Sequence, residues 1–246
     1  MTQFVAIALA IVLLVIVGLR MFCRLPSKPD GELGQSVSDR ASPLIERAEE
    51  VAGAHGGSDG IGVLPDGLEA FALRLEMTRA ATRSIDAQYY IWEGDLSGRM
   101  LLCELAAAAD RGVRVRILID DNPTAGLDEM WSDIDSHPNI SVRLFNPLVI
   151  RRFRSLNYLF DFFRLNRRMH NKSMTFDGAV SILGGRNIGD AYFGAGDHGL
   201  FIDLDTYVVG PVVGDVAAQF ERYWNSDPAY PAVSIIKPSR EPILAT

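Results

Sequence analysis

Apolar side chains run without interruption from Phe4 to Leu19, sixteen positions that are all apolar or glycine. As a helix such a run rises about 24 Å. Met21 and Phe22 carry it past Arg20, close to the thickness of a hydrocarbon core. No positive charge precedes the run and no small-x-small cleavage site follows it, so the pattern predicts a retained transmembrane anchor over 1–24 rather than a secretory signal. Arg20, Arg24 and Lys28 come directly after it. By the positive-inside tendency they predict an outside N-terminus, with the rest of the chain in the cytoplasm.

The pattern then changes twice. Residues 25–61 read as a linker with one short helix, opened by Ser42 as N-cap and Pro43 at the first helical position, and broken by "GGSDGIG". From residue 62 to 235 helical and strand periods alternate. "DGLEAFALRLEMTRAA", "SGRMLLCELAAAADRG", about 126–136 and "VGDVAAQFERYW" read as helices. "SIDAQYYIW", "VRVRILIDD", "SVRLFN", 169–176 and 201–209 read as strands. The alternation predicts an α/β layer architecture, followed by a tail over 236–246. Asp120 and Asp121 end a strand, where open sheets place ligands and where a plain turn also carries solvated acids.

Composition narrows the function. With 246 residues and 48% hydrophobic content the chain buries the core of one full domain. A formal charge of −7 argues against a surface built to neutralise nucleic acid. Cys23 and Cys103 lie in unrelated contexts and suggest neither a disulfide nor a zinc site. The exception to the acidic balance is 151–168, "RRFRSLNYLFDFFRLNRR", with six arginines against Asp161. Interleaved with aromatics, it predicts contact with anionic lipid headgroups. The competing reading is a core helix with a solvated basic face, Phe153, Leu156, Phe160 and Phe163 forming one stripe.

Candidate chemistry concentrates in "MHNKSMTFDGAVSILGGRN", Met169 to Asn187. On a strand, His170 and Lys172 share a face while Asp177 points away, as a structural pin. An imidazole serves as nucleophile or proton carrier, and a neighbouring ammonium attracts an anion. The Gly184-Gly185 turn and the Asn187 amide offer donors to the same anion. These are parts of a phosphoryl-transfer site that calls for no metal. Asp203-x-Asp205 also reads as a metal pair, but no His, Cys or Glu cluster accompanies it.

The spacing His170-x-Lys172-x4-Asp177-x6-Gly184-Gly185-x-Asn187 resembles the HKD signature of the phospholipase D superfamily. The flanks, from "SIDAQYYIWEGDLSGRMLL" to "DLDTYVVGPVV", look like the first half of a bacterial cardiolipin synthase of the C-type branch. The resemblance implies a mixed β-sheet flanked by helices, no cofactor, and placement in the inner membrane. It implies a phosphohistidine on one HKD histidine while a second protonates the leaving alcohol, with a phospholipid such as phosphatidylglycerol as substrate. Lys172 and Asn187 then hold the non-bridging oxygens, Gly184, Gly185, Arg167 and Arg168 line the substrate site, and an acid on a later strand orients the histidine. Asp205 is preferred for that role, with Asp203 close behind.

These 246 residues contain one HKD motif where the resembled enzymes carry two. His55, His137 and His198 are followed two positions on by Gly57, Asn139 and Leu200. The expectation is therefore half of a two-motif site, completed by a second HKD-bearing half or by a homodimer. A single-motif phosphodiesterase or nuclease and an inactive remnant are the alternatives.

Overall fold

A computed structural model describes residues 1–28, 40–195 and 201–238. Helix α1 (Thr2–Phe22) contains the apolar run. Its stretch Gln3–Phe22 is long and apolar enough to cross a membrane and is not buried by the rest of the protein. Helix α2 (Pro43–Ala54) begins at Ser42, whose Oγ accepts the Ile45 N–H at 3.2 Å.

The remaining elements alternate as the periodicity requires. They are β1 (Gly60–Leu64), α3 (Gly67–Ala80), β2 (Ser84–Tyr89), α4 (Leu96–Asp110), β3 (Arg114–Asp120), α5 (Asp128–Asp135) and β4 (Ile140–Phe145). There follow α6 (Asn157–Leu165), β5 (Ser173–Phe176), β6 (Val180–Gly184), α7 (Asp190–Phe193), β7 (Asp205–Val209), α8 (Val212–Trp224), β8 (Ala229–Pro231) and α9 (Ala232–Ile235). The strands form one mixed sheet in the order β1-β7-β6-β5-β2-β3-β4-β8. β2, β3 and β4 are parallel, and the other pairings are antiparallel.

Alternation along the central strands creates two packed faces. Ile85, Ala87, Tyr89, Val115, Ile117 and Ile119 enter the larger core together with residues of α3, α4 and α5. Trp92 and Trp131 meet edge to face there at 5.7 Å. The intervening residues turn toward α8, where Leu118 packs with Phe220 and Trp224. On this second face Arg116 pairs with Asp86 at 2.7 Å and with Glu221 at 2.5 Å. β2 is buried on both faces, and its polar residues Ser84, Asp86 and Gln88 alternate with the apolar ones that enter the larger core.

Four local expectations change. β1 lies partly in the segment read as linker, because a Gly-Ile-Gly-Val-Leu edge pairs with β7 in register. Gly62 makes room there for Tyr207, whose ring would lie 2.1 Å from an added Cβ. β6 forms a strand over residues to which the periodicity assigned no element, ending at the first glycine of the expected turn. The strand expected from 201 begins at Asp205. Within 151–168 the single apolar stripe breaks, because Asp161 leaves helical geometry (φ −137°, ψ 33°). Phe160 and Leu165 are buried, whereas Phe153, Leu156, Phe162 and Phe163 are exposed.

Candidate active site

The carboxyl ends of β2, β3 and β4 lie at one end of the sheet with the start of β5 and the end of β6. Asp120, the last residue of β3, is fully buried there. Its Oδ2 accepts the Met169 N–H at 2.8 Å and the Arg168 Nε–H at 3.1 Å, and its Oδ1 accepts the Asn122 N–H at 2.9 Å. Burial pushes its carboxyl up to about 6, against the opposing pull of Arg168 and of those backbone donors. This anchoring takes Met169 out of the ladder, so the strand expected from 169 starts only at Ser173.

Asp121 is also buried rather than a solvated turn acid. It accepts the Leu148 N–H at 2.7 Å and pairs with Arg151 and, at 3.1 Å, with Arg154. Arg164 pairs with Asp161 at 2.5 Å. Arg168 donates further to the carbonyls of Phe145 and Asn146. Four of the six arginines of the basic stretch thus neutralise the protein's own carboxylates, because buried acids require countercharge. The other two, Arg152 and Arg167, are exposed.

His170 is exposed and Lys172 buried. The Lys172 Nζ lies 3.1 Å from Nδ1 and 3.2 Å from Nε2 of His170, and donates to the His170 carbonyl at 2.9 Å. The Tyr90 ring flanks the imidazole with centroids 4.9 Å apart, and Lys172 stands 5.5 Å over the same ring. Burial lowers the pKa of Lys172 from the ordinary lysine range, and the negative charge of Asp203 opposes that shift.

The two candidate acids separate. Gly184 and Gly185 stand against Asp205 and Asp203 respectively, since an added Cβ would lie 2.2 Å from Asp205 Oδ1 or 1.7 Å from Asp203 Oδ1. Asp205 is fully buried and pairs with Arg74 at 2.9 Å, while its Oδ1 accepts the Arg186 N–H at 3.2 Å. Asp203 is half-buried and is the acid whose charge acts on Lys172. Asp205 thus faces Arg74, and Asp203 faces Lys172. Among the described residues the lysine, not a carboxylate, hydrogen-bonds the His170 ring.

The glycine turn also differs from expectation. The Gly184 N–H bonds the Lys172 carbonyl and the Gly185 N–H bonds the Leu204 carbonyl, so neither amide faces an anion. Asn187 is buried. Its Oδ1 accepts the Ile91 N–H at 2.9 Å and its Nδ2 donates to Tyr192 Oη at 3.0 Å, which fixes the chain beside Tyr90. Asp177 accepts the N–H groups of Thr82, Arg83 and Ser84 at 3.0, 2.8 and 2.9 Å. His198 lies outside the described residues.

Sequence reasoning missed Tyr90, Arg74 and the anchoring role of Asp120. Arg74 is a charged residue on a helix face that packs inward, and the second tyrosine of "AQYY" follows the end of β2. Neither pattern carries chemistry until the sheet brings it to His170 or Asp205.

Comparison with known proteins identifies the family. The sequence profile described as "Cardiolipin synthase, PLD-like domain" matches residues 75–224. The chain is 55% identical over 182 residues to "Cardiolipin synthase C" of Escherichia coli K12, covering 74% of this chain and 38% of that protein. It is 33% identical over 165 residues to "Cardiolipin synthase" of Staphylococcus aureus Mu50, covering 67% and 32%. It therefore spans less than two fifths of the length of these curated relatives. The solved phosphatidylserine synthase of Haemophilus influenzae shares its fold, with a TM-score of 0.56 at 16% identity over 82% of this chain and 45% of that one. The profile match across most of the domain, which includes His170, Lys172 and the glycine turn, shows that the chain belongs to the cardiolipin synthase family of phospholipase D-like enzymes.

Proposed function

We propose that the chain transfers a phosphatidyl group between phospholipids through a phosphohistidine at His170, as one half of a two-histidine site. The observation that carries this reading is the Lys172 ammonium 3.1 Å from the His170 ring, partly desolvated and facing Asp203. One imidazole nitrogen attacks phosphorus and forms a P–N bond as the bond to the donor's glycerol oxygen breaks. A second imidazole gives that oxygen its proton. An acceptor hydroxyl, such as that of phosphatidylglycerol, then gives its proton to the second imidazole and takes the phosphatidyl group from His170. Lys172 holds the non-bridging oxygens, whose charge grows in the transition state. Asp203 keeps Lys172 cationic, and Asn187 and Asp120 position the chain around the ring without touching substrate.

In this reading α1 lies in the inner membrane and the domain faces the cytoplasm. Protease added outside spheroplasts leaves the domain intact, and digestion from outside reverses the topology.

The central test uses full-length protein in phosphatidylglycerol vesicles. Wild type forms an alkali-stable phosphohistidine and cardiolipin, while His170→Asn forms neither. Cardiolipin production by His170→Asn at the wild-type rate would remove the assignment.

A further inference from the structure

An open groove of about 690 Å³ runs between the last turns of α1 and the kinked helix α6. Its wall is apolar, with Ile16 and Leu25 from the N-terminal segment, Leu159, Phe162 and Phe163 from α6, and Tyr230. Phe163 is 84% exposed and Leu159 59%, a cluster that water-soluble surfaces rarely present. Arg20 and Arg167 also line the groove. Both are exposed and neither side chain has a hydrogen bond or ion pair within the described residues.

The charge balance favours an anion. Arg164 is matched by Asp161 inside the groove, which leaves Arg20 and Arg167 facing Asp227 alone. Lys28 fixes the chain after α1, donating to the Ser226 carbonyl at 2.8 Å and lying 5.0 Å over the Tyr230 ring. The exit of α1 is therefore tied to the domain at the groove.

Depth decides the occupant. Gln3–Phe22 rises about 30 Å as a helix, so its C-terminal end reaches a membrane surface when the helix spans. Ile16 then lies at hydrocarbon depth and Arg20 one turn later at headgroup depth. Along α1 the apolar Ile16 precedes the cation Arg20 by one turn, the order of acyl chain and phosphate in a phospholipid. A soluble phosphate compound would leave the aromatic wall uncovered.

The geometry points to this groove as a seat for an anionic phospholipid of the bilayer, its acyl chain against Leu159, Phe162 and Phe163 and its phosphate between Arg20 and Arg167. Arg167 precedes His170 by three residues, on the strap that Asp120 anchors, so the seat adjoins the chemical site. The inference rests on the membrane placement proposed above, but not on phosphatidyl transfer.

The test reads binding and not turnover. Full-length protein is reconstituted in phosphatidylcholine bilayers containing spin-labelled phosphatidylglycerol or spin-labelled phosphatidylcholine, and the motionally restricted fraction is measured by electron paramagnetic resonance. Wild type restricts the anionic label preferentially. Arg20→Gln/Arg167→Gln reduces that preference about 30-fold, the scale of two interfacial charges. Phe163→Ala, which retains both arginines, reduces the restricted fraction for both labels. Excess soluble glycerol 3-phosphate leaves the wild-type preference unchanged. Equal restriction of the two labels by wild type, an unchanged preference in the double arginine variant, or displacement by glycerol 3-phosphate would each overturn the seat. Loss of cardiolipin formation with retained lipid preference would count against the transfer reading alone.

Discussion

The Asp120 carboxylate accepts the backbone N–H of Met169 at 2.8 Å, one residue before His170. The same oxygen takes the Arg168 Nε–H and the other takes the Asn122 N–H. An asparagine amide has one oxygen, so Asp120→Asn turns an N–H₂ donor toward one of these donors. The strap slackens. We expect turnover to fall about 10- to 100-fold with KM unchanged, since a displacement near 1 Å costs that much. Because burial raises the carboxyl to about 6, wild-type turnover declines as pH drops through that value. Stability moves the other way. The folded pKa lies above an unfolded value of about 3.9, so this group's stabilising contribution is complete below about pH 4 and is lost as pH rises through about 6. An unchanged acid limb in the Asp120→Asn pH–rate profile contradicts the positioning role.

Asp205 and Asp203 are two residues apart and differ in what they face. Asp205→Ala strands Arg74 in the core without its carboxylate, and urea denaturation should show a loss of about 3–5 kcal/mol. Asp203→Ala should cost under about 1 kcal/mol, as expected near the surface. It should instead lower the pKa of Lys172 further and move the alkaline limb of turnover to lower pH. If both variants lose similar stability and leave that limb in place, the division between the acids fails.

At the other end of β5, Asp177 sits at φ +52° and accepts from the backbone of Thr82, Arg83 and Ser84 and from Ser42 Oγ at 2.6 Å. Asp177→Ala leaves those donors without their carboxylate and keeps a side chain in the left-handed region. We expect a loss of about 2–4 kcal/mol. Ser42→Ala should cost about 1 kcal/mol, because Ser42 also caps α2. Amide hydrogen exchange at Thr82–Ser84 should accelerate in Asp177→Ala, and unchanged protection would contradict the pin.

The legible part of the fold was the part with a period. β2, β3, β4 and the helices around them follow apolar patterns that local geometry imposes, and the HKD spacing located His170 and Lys172. β1 and β6 were harder to read, being five-residue strands rich in glycine or bounded by it, both held by pairing with β7, which follows them in sequence. The arginines of 151–168 resembled a lipid-facing patch because their partners, Asp120, Asp121 and Asp128, lie far back in sequence. The different surroundings of Asp203 and Asp205 were illegible for a similar reason. Alternation places both on one face, but only the packed structure sets Arg74 against Asp205.

The last expectation concerns assembly. In-line displacement at phosphorus places the attacking nitrogen and the departing oxygen on opposite sides, so a single imidazole cannot attack and protonate in the same step. Neither of the other described histidines stands at the site: His55 bonds the Val51 carbonyl and His137 bonds Asp110. Loss of the general acid alone costs roughly 10² to 10⁴ in rate. A second imidazole must come from another copy or from another HKD-bearing segment. The two sources differ under dilution of wild type with His170→Asn at fixed total protein. A symmetric pair needs a functional His170 from each copy, so specific activity falls as the square of the wild-type fraction. With a separate motif present in excess, it falls in direct proportion. Supplying an HKD-bearing second half should raise turnover in the second case and leave it unchanged in the first. Full specific activity in a preparation shown by mass to be a monomer with no second motif would refute the two-imidazole mechanism for this protein.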